Sequence, residues 1–189
     1  MIKKIYKTKI KGLKVFSLES YYDNRGFFQE IFNKNELKKK LNINFNNSQT
    51  SLSYSKKNVI RGFHFQKIKP IGQIVYVMKG KIIDIVVDMR KNSKTFGEYE
   101  MFDLSEANKK VIYMPKGFAH GFYSLDKENI LIYHQSQRYL SQFDSGFHWK
   151  YKNIQKKLKI KKPIISKKDN NLPKFDETKF KKLYFKKKS

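Results

Sequence analysis

Short apolar runs, broken at regular intervals by glycine, proline or asparagine, constrain this chain more than any other feature. The segment QIVYVMKGKIIDIVVDMR reads as two strands joined at Lys79-Gly80, a hairpin signal. In its second strand Ile83, Ile85 and Val87 share one face, while Asp84, Val86 and Asp88 share the other. Two aspartates on one sheet face suit a polar cavity better than a dry core. The segments SKTFGEYEMFDLS, KKVIYMPKGFAHGFYSL and NILIYHQSQRYL continue the pattern, and SQTSLSYSKKNVIRGFHFQ alternates as a half-buried strand does. Upstream, LKVFSLESYYDNRGFFQEIF predicts a strand, a turn at Asp23-Asn24-Arg25-Gly26 and an aromatic strand, with one short helix near Asn35 to Leu41. Many evenly spaced strands with little helix predict an all-β sandwich or barrel. From about residue 152 the chain is lysine-rich, and a short helix with an extended tail is expected there. Neither a repeat nor a flexible linker interrupts the chain, so residues 1–189 read as one domain.

Composition narrows the class. A hydrophobic fraction of 39% over 189 residues supports a folded core. Cysteine is absent, which removes disulfides, thiolate nucleophiles and thiolate metal sites. The start MIKKIYKTKIKG lacks the apolar core of a signal peptide, and runs such as IIDIVV are too short to span a bilayer. A cytoplasmic protein without a membrane partner is expected. The net charge of +26 is the exceptional number. Its lysines are scattered along the chain, whereas a nucleic-acid reader gathers its basic residues on one helix or stripe. A solvated lysine surface is therefore expected, and no nucleic-acid partner. Against it the four arginines, Arg25, Arg61, Arg90 and Arg138, mark positions where a planar, two-pronged donor is useful.

The histidines are His64, His120, His134 and His148. His120 ends Pro115-Lys116-Gly117-Phe118-Ala119-His120, a cupin-type turn that delivers a histidine into a barrel mouth. A metal-binding version would also need His-x-His on the earlier strand, where this chain has His64-Phe65-Gln66. No metal is expected.

Taken in order, YYDNRGFFQE, NVIRGFHFQ, GKIIDIVVDMRKNSKTFG, LSEANKKVIYMPKGFAHGF and LIYHQSQRYL…GFHW resemble the dTDP-4-dehydrorhamnose 3,5-epimerase family. The likeness runs from about Lys11 to Trp149, with a weaker echo at PIISKKD. It implies a cupin-like double-stranded β-helix, a jelly-roll barrel with short peripheral helices. It also implies epimerisation of a dTDP-linked 4-keto-6-deoxy sugar through an enolate, in deoxysugar synthesis for surface polysaccharide. No cofactor is implied. Protons at C3 and C5 of such a sugar flank a carbonyl, so a base on one face and an acid on the other suffice to invert either centre. The resemblance makes His64 the base, Asp169 the carboxylate that orients it, Tyr133 the acid and Arg61 the donor to the enolate oxygen. It places Arg25 at the pyrophosphate, Phe27 and Glu30 at the base, and Gln49, Ser51, His120 and Tyr139 around the ligand. A homodimer with N-terminal strands crossing between subunits is implied as well.

The chain departs from the family where a lysine usually follows the glycine opening the next strand. Here that pair is Gly72-Gln73, and Gln73 donates without a charge. This opens the alternatives of a single-centre epimerase, a ketoisomerase on another sugar nucleotide, or a barrel that only binds anionic ligands. Lys67 or Lys69 is the nearest substitute in sequence. Ser51, Arg138 and Trp149-Lys150-Tyr151 also differ from the usual family residues.

Overall fold

The computed structural model describes residues 1–183; the last part of the lysine-rich tail, 184–189, lies outside the described residues. The alternating sequence folds into strands β1 (Ile2–Tyr6), β2 (Lys14–Leu18), β3 (Tyr21–Asp23), β4 (Gly26–Phe28), β5 (Gln49–Lys56), β6 (Ile60–Gln66) and β7 (Gln73–Lys79). They are followed by β8 (Lys81–Asp88), β9 (Tyr99–Ser105), β10 (Lys110–Met114), β11 (Phe118–Ser124), β12 (Glu128–Gln135) and β13 (Asp144–Gly146). Six strands form one antiparallel sheet in the order β1-β2-β10-β7-β12-β5, and five form another, β13-β6-β11-β8-β9. The two sheets face each other as the flattened jelly roll expected of a cupin-like chain.

Period-two patterning decides what each face meets. Val75, Val77, Ile82, Val86, Leu104, Ile112 and Leu131 point between the sheets and fill the closed end of the barrel. The outer face of the six-stranded sheet packs Ile74, Tyr76 and Val111 against Leu37 and Leu41 of α1 (Lys34–Leu41). That helix starts one residue before the expected Asn35, because the Asn33 side chain accepts from the Glu36 N–H. It ends at Asn42, which adopts the left-handed conformation that closes a helix.

The C-terminal segment differs from the single helix and extended tail expected of it. It forms α2 (Ile154–Lys157), α3 (Lys167–Asn170) and α4 (Glu177–Leu183), and caps the outer face of the five-stranded sheet. Phe147, Tyr151, Ile154 and Phe180 bury themselves there against Phe63, Phe65, Ile85 and Val87. Apolar residues set singly among lysines suffice to dock a segment whose composition alone reads as solvated. No lysine among the described residues is buried.

Asp84 and Asp88 do not share a cavity. Asp88 is sealed at the end of β8, where Arg90 grips both its oxygens and Ser93 and Thr95 donate to it. Burial alone would raise its pKa, but these donors outweigh it and hold Asp88 below the ordinary carboxylate value. Arg90 also stacks on Phe118 and packs against Gly117, so this knot fixes the turn that leads to His120. Any Cβ at Gly117 (φ +93°) would lie 2.7 Å from Arg90 Cγ.

Candidate active site

The open end of the barrel is polar because the inward face of each strand changes chemistry there. On β5 the inward positions are Gln49, Ser51, Ser53 and Ser55; on β12 they continue from Leu131 to Tyr133 and Gln135. A cleft of about 310 Å³ opens between the sheets, with Gln49, Ser51, Arg61, His64, Gln73, His120, Tyr133 and Tyr139 in its wall. Eight residues singled out from the sequence therefore share one cavity.

Strict alternation would put Arg61 and His64, three residues apart, on opposite faces of β6. The β6–β11 register resolves this: His64 faces His120 and Arg61 faces Phe122, so β6 carries one extra residue over the interval. A β-bulge of this kind re-aims a side chain. It occurs at Gly62, whose φ of +108° suits glycine and where a Cβ would come 2.6 Å from the His120 carbonyl oxygen. Arg61 is then anchored by its Nε–H to Ser55 Oγ (3.0 Å) and by Nη2 to the Tyr54 carbonyl (2.9 Å).

Asp169 arrives from the far end of the chain. Ile164 bridges to Val59 beside β6, and Ser166 caps α3 by accepting from the Asp169 N–H. The carboxylate then lies with Oδ1 2.9 Å from His64 Nε2 and Oδ2 3.0 Å from the Gly62 N–H. Burial opposes its charge, yet these bonds prevail and its pKa falls below the ordinary value. A carboxylate at Nε2 fixes the proton on that nitrogen and leaves the Nδ1 lone pair as the basic site.

Tyr133 stands on the opposite sheet. Its hydroxyl lies 3.1 Å from Ser53 Oγ, and its ring meets that of His120 edge-on at 6.2 Å. Removal from solvent, with the nearby Asp84 charge, raises the Tyr133 pKa well above the ordinary phenol, against smaller opposing effects of Ser53 and Arg61. His120 is held by Asp84, with Nε2 to Oδ2 2.6 Å and Asp84 wholly buried.

Other expected residues fall elsewhere. Arg25 and Phe27 lie on the two-stranded β3–β4 hairpin, which joins neither sheet, and neither lines the cleft. Arg25 is exposed and paired to Asp23 at 2.5 Å. Glu30 accepts from Asn33 and pairs loosely with the N-terminal amine. Neither Lys67 nor Lys69 lines the cleft, so Gln73 alone occupies the place of the missing lysine. Gln73 Oε1 is buried with no hydrogen-bond partner among the described residues.

Reading by sequence missed Ser53, Ser55, Asp144 and Lys168. The first two were signalled by the same alternation that exposes Gln49 and Ser51. Among the described residues no three histidine, aspartate or glutamate side chains converge as metal ligands. No helix of the described residues is long and apolar enough to cross a membrane.

Comparison with known proteins agrees with this geometry. The family model described as dTDP-4-dehydrorhamnose 3,5-epimerase matches residues 7–177. A protein of that name from Methanothermobacter thermautotrophicus is 41% identical over 144 residues, covering 76% of this chain and 77% of the relative. The crystal structure of the enzyme of that name from Bacillus anthracis, with TDP and PPi bound, superposes with a TM-score of 0.86 at 37% identity, covering 91% of this chain and 99% of that one. A dTDP-6-deoxy-D-glucose-3,5-epimerase from Legionella pneumophila, in complex with dTDP-4-keto-L-rhamnose, gives 0.81 at 32% identity, covering 92% and 98%.

Proposed function

The chain belongs to the dTDP-4-dehydrorhamnose 3,5-epimerase family, and from that premise we infer how its cleft converts dTDP-4-dehydro-6-deoxyglucose to dTDP-4-dehydrorhamnose. One observation carries the reading: His64, backed by Asp169, and Tyr133 project from opposite sheets into one cleft. A sugar ring between them meets a base on one face and an acid on the other. Neutral His64 takes the C5 or C3 proton at Nδ1, and Asp169 steadies the imidazolium that forms. The charge moves to the C4 oxygen, where Arg61 donates to it, while His120, its Nε2–H held by Asp84, walls the cleft. Tyr133, kept protonated by its raised pKa, returns a proton from the opposite face and inverts the centre. Gln49, Ser51 and Tyr139, at the mouth, hold the nucleotide.

The exposed hairpin completes the picture as part of a homodimer. Tyr22 and Phe28 are 72% and 70% exposed on it, and the uncovered edge strand β5 shows Leu52 at 60%. An exposed apolar hairpin and an unpaired sheet edge carrying an exposed leucine are what a subunit interface leaves on a lone chain. In the dimer Arg25, Phe27 and Glu30 serve the partner's nucleotide, Arg25 exchanging Asp23 for the pyrophosphate. The enzyme is then a single-domain cytoplasmic protein alongside its charged, soluble substrate. Mixing His64→Ala with Arg25→Ala tests this, since crossed sites restore activity that neither parent has, and sites within one chain do not.

Gln73 favours a second reading in which only one centre is inverted, because a neutral donor stabilises the enolate less than a lysine does. Proton NMR of dTDP-4-keto-6-deoxyglucose with the enzyme in deuterated water separates the two. Loss of the C3 and C5 signals supports double epimerisation, and loss of one supports the single-centre reaction. Retention of both would remove the substrate assignment.

A further inference from the structure

A base that has taken one proton must release it before it acts again, and the surroundings of His64 contain a specific exit. Asp144 Oδ2 lies 3.8 Å from His64 Nδ1, the nitrogen that Asp169 leaves free. Strand β13 fixes this placement, pairing Asp144 with Gln66 and Gly146 with His64. The Asp144 side chain is 11% exposed, and Lys168 Nζ binds the same oxygen at 2.5 Å while remaining 60% exposed. A bare imidazole nitrogen and a carboxylate are both acceptors, so in the resting site they stand apart, beyond hydrogen-bond reach. Protonation makes Nδ1 a cationic donor, and closing the gap by roughly 1 Å gives a charge-assisted bond. A side cleft of about 60 Å³ adjoins this pair, walled in part by His64, Gln73, Tyr139 and Asp144.

We propose that Asp144 is a positioning residue that accepts the proton of the His64 imidazolium after each deprotonation and passes it to solvent beside Lys168. The Nδ1–H bond breaks with its electron pair returning to the imidazole, and an O–H bond forms on Asp144. The resulting acid loses its proton to water or buffer. The Tyr133 phenolate left after donation regains a proton from solvent, so each epimerisation releases one proton and consumes one. The inference rests on the acid–base reading above.

The test compares Asp144→Asn with the wild-type enzyme on dTDP-4-keto-6-deoxyglucose. In a single turnover, loss of the first carbon-bound proton should stay within about twofold of wild type. Steady-state kcat at low buffer should fall about tenfold and recover as a small base such as imidazole is added. Asp144→Glu, which keeps a carboxylate, should remain independent of buffer. Unchanged kcat for Asp144→Asn, or parallel loss of both rates without rescue, would overturn the proposal. So would equal buffer dependence in both variants, which would assign the effect to packing. Failure of the underlying reading looks different: the wild type itself would then exchange neither proton.

Discussion

Two histidine–aspartate pairs sit almost back to back in this barrel, yet they are built differently. His64 and His120 face each other across β6 and β11. Asp84 reaches His120 from the neighbouring strand β8, is wholly buried, and leaves Oδ1 without a hydrogen-bond partner among the described residues. Asp169 reaches His64 from 105 residues away and spreads its charge over two directed donors, the imidazole and the Gly62 N–H. A carboxylate satisfied on both oxygens retains its charge and can steady an imidazolium. One satisfied on a single oxygen, inside the sheet, serves to lock a ring in place. On the proposed mechanism the same two residue types thus yield a proton-handling unit or a ring fixed in place, according to what else the carboxylate touches.

The sharpest way to break this distinction is to remove the rings. His64→Ala should lower kcat by about 10³ to 10⁴, and His120→Ala by about 10², since one loses the proposed base and the other a ring that walls the cleft and helps position the sugar. Equal losses in steady-state assays would erase the difference between the pairs. Next come the carboxylates. Asp169→Asn should cost about 10² to 10³ in kcat, because an amide offers Nε2 a donor and moves the ring proton to Nδ1. Asp84→Asn should instead lower stability by about 1–3 kcal/mol, as an amide N–H₂ replaces a buried oxygen beside no acceptor. Urea titration of both variants, beside their kcat, checks the crossover.

The smallest effect lies in the pH dependence of stability. Asp169 has a lowered folded pKa, so its contribution is complete above its unfolded value near 3.8 and disappears as pH falls through the folded one. Asp169→Asn should flatten that acid limb. A separate limb begins higher. His134, buried on the outer face of β12, accepts at Nδ1 from Thr50 and Asn47, and burial lowers its pKa. Its contribution is present above about 6.5 and declines below, with a slope of at most about 1.4 kcal/mol per pH unit. Denaturant unfolding at several pH values should show this slope vanish in His134→Leu.

What could be read in advance follows from the range of the interactions. The jelly roll is written locally, in strand alternation and turns, and His64 and His120 stand out within that pattern, whereas Tyr133, one of 12 tyrosines, is marked out only by the family likeness. Asp84 was conspicuous as an acid in an apolar run, but its partner lies on another strand. The shared face of Arg61 and His64 depends on a bulge that alternation denies. Asp169 carries no local signal at all, being one acid among lysines, and only the family likeness pointed to it. Asp144 went unnoticed for the same reason. The C-terminal helices escaped because Phe175 and Phe180 are spaced too sparsely among lysines for any periodicity to show.

The length of chain between His64 and Asp169 also orders events during synthesis. Both barrel sheets, through β13, are complete in sequence before Ile164 and Asp169 leave the ribosome. A nascent chain can therefore close its barrel with His64 in place but its imidazole unpartnered.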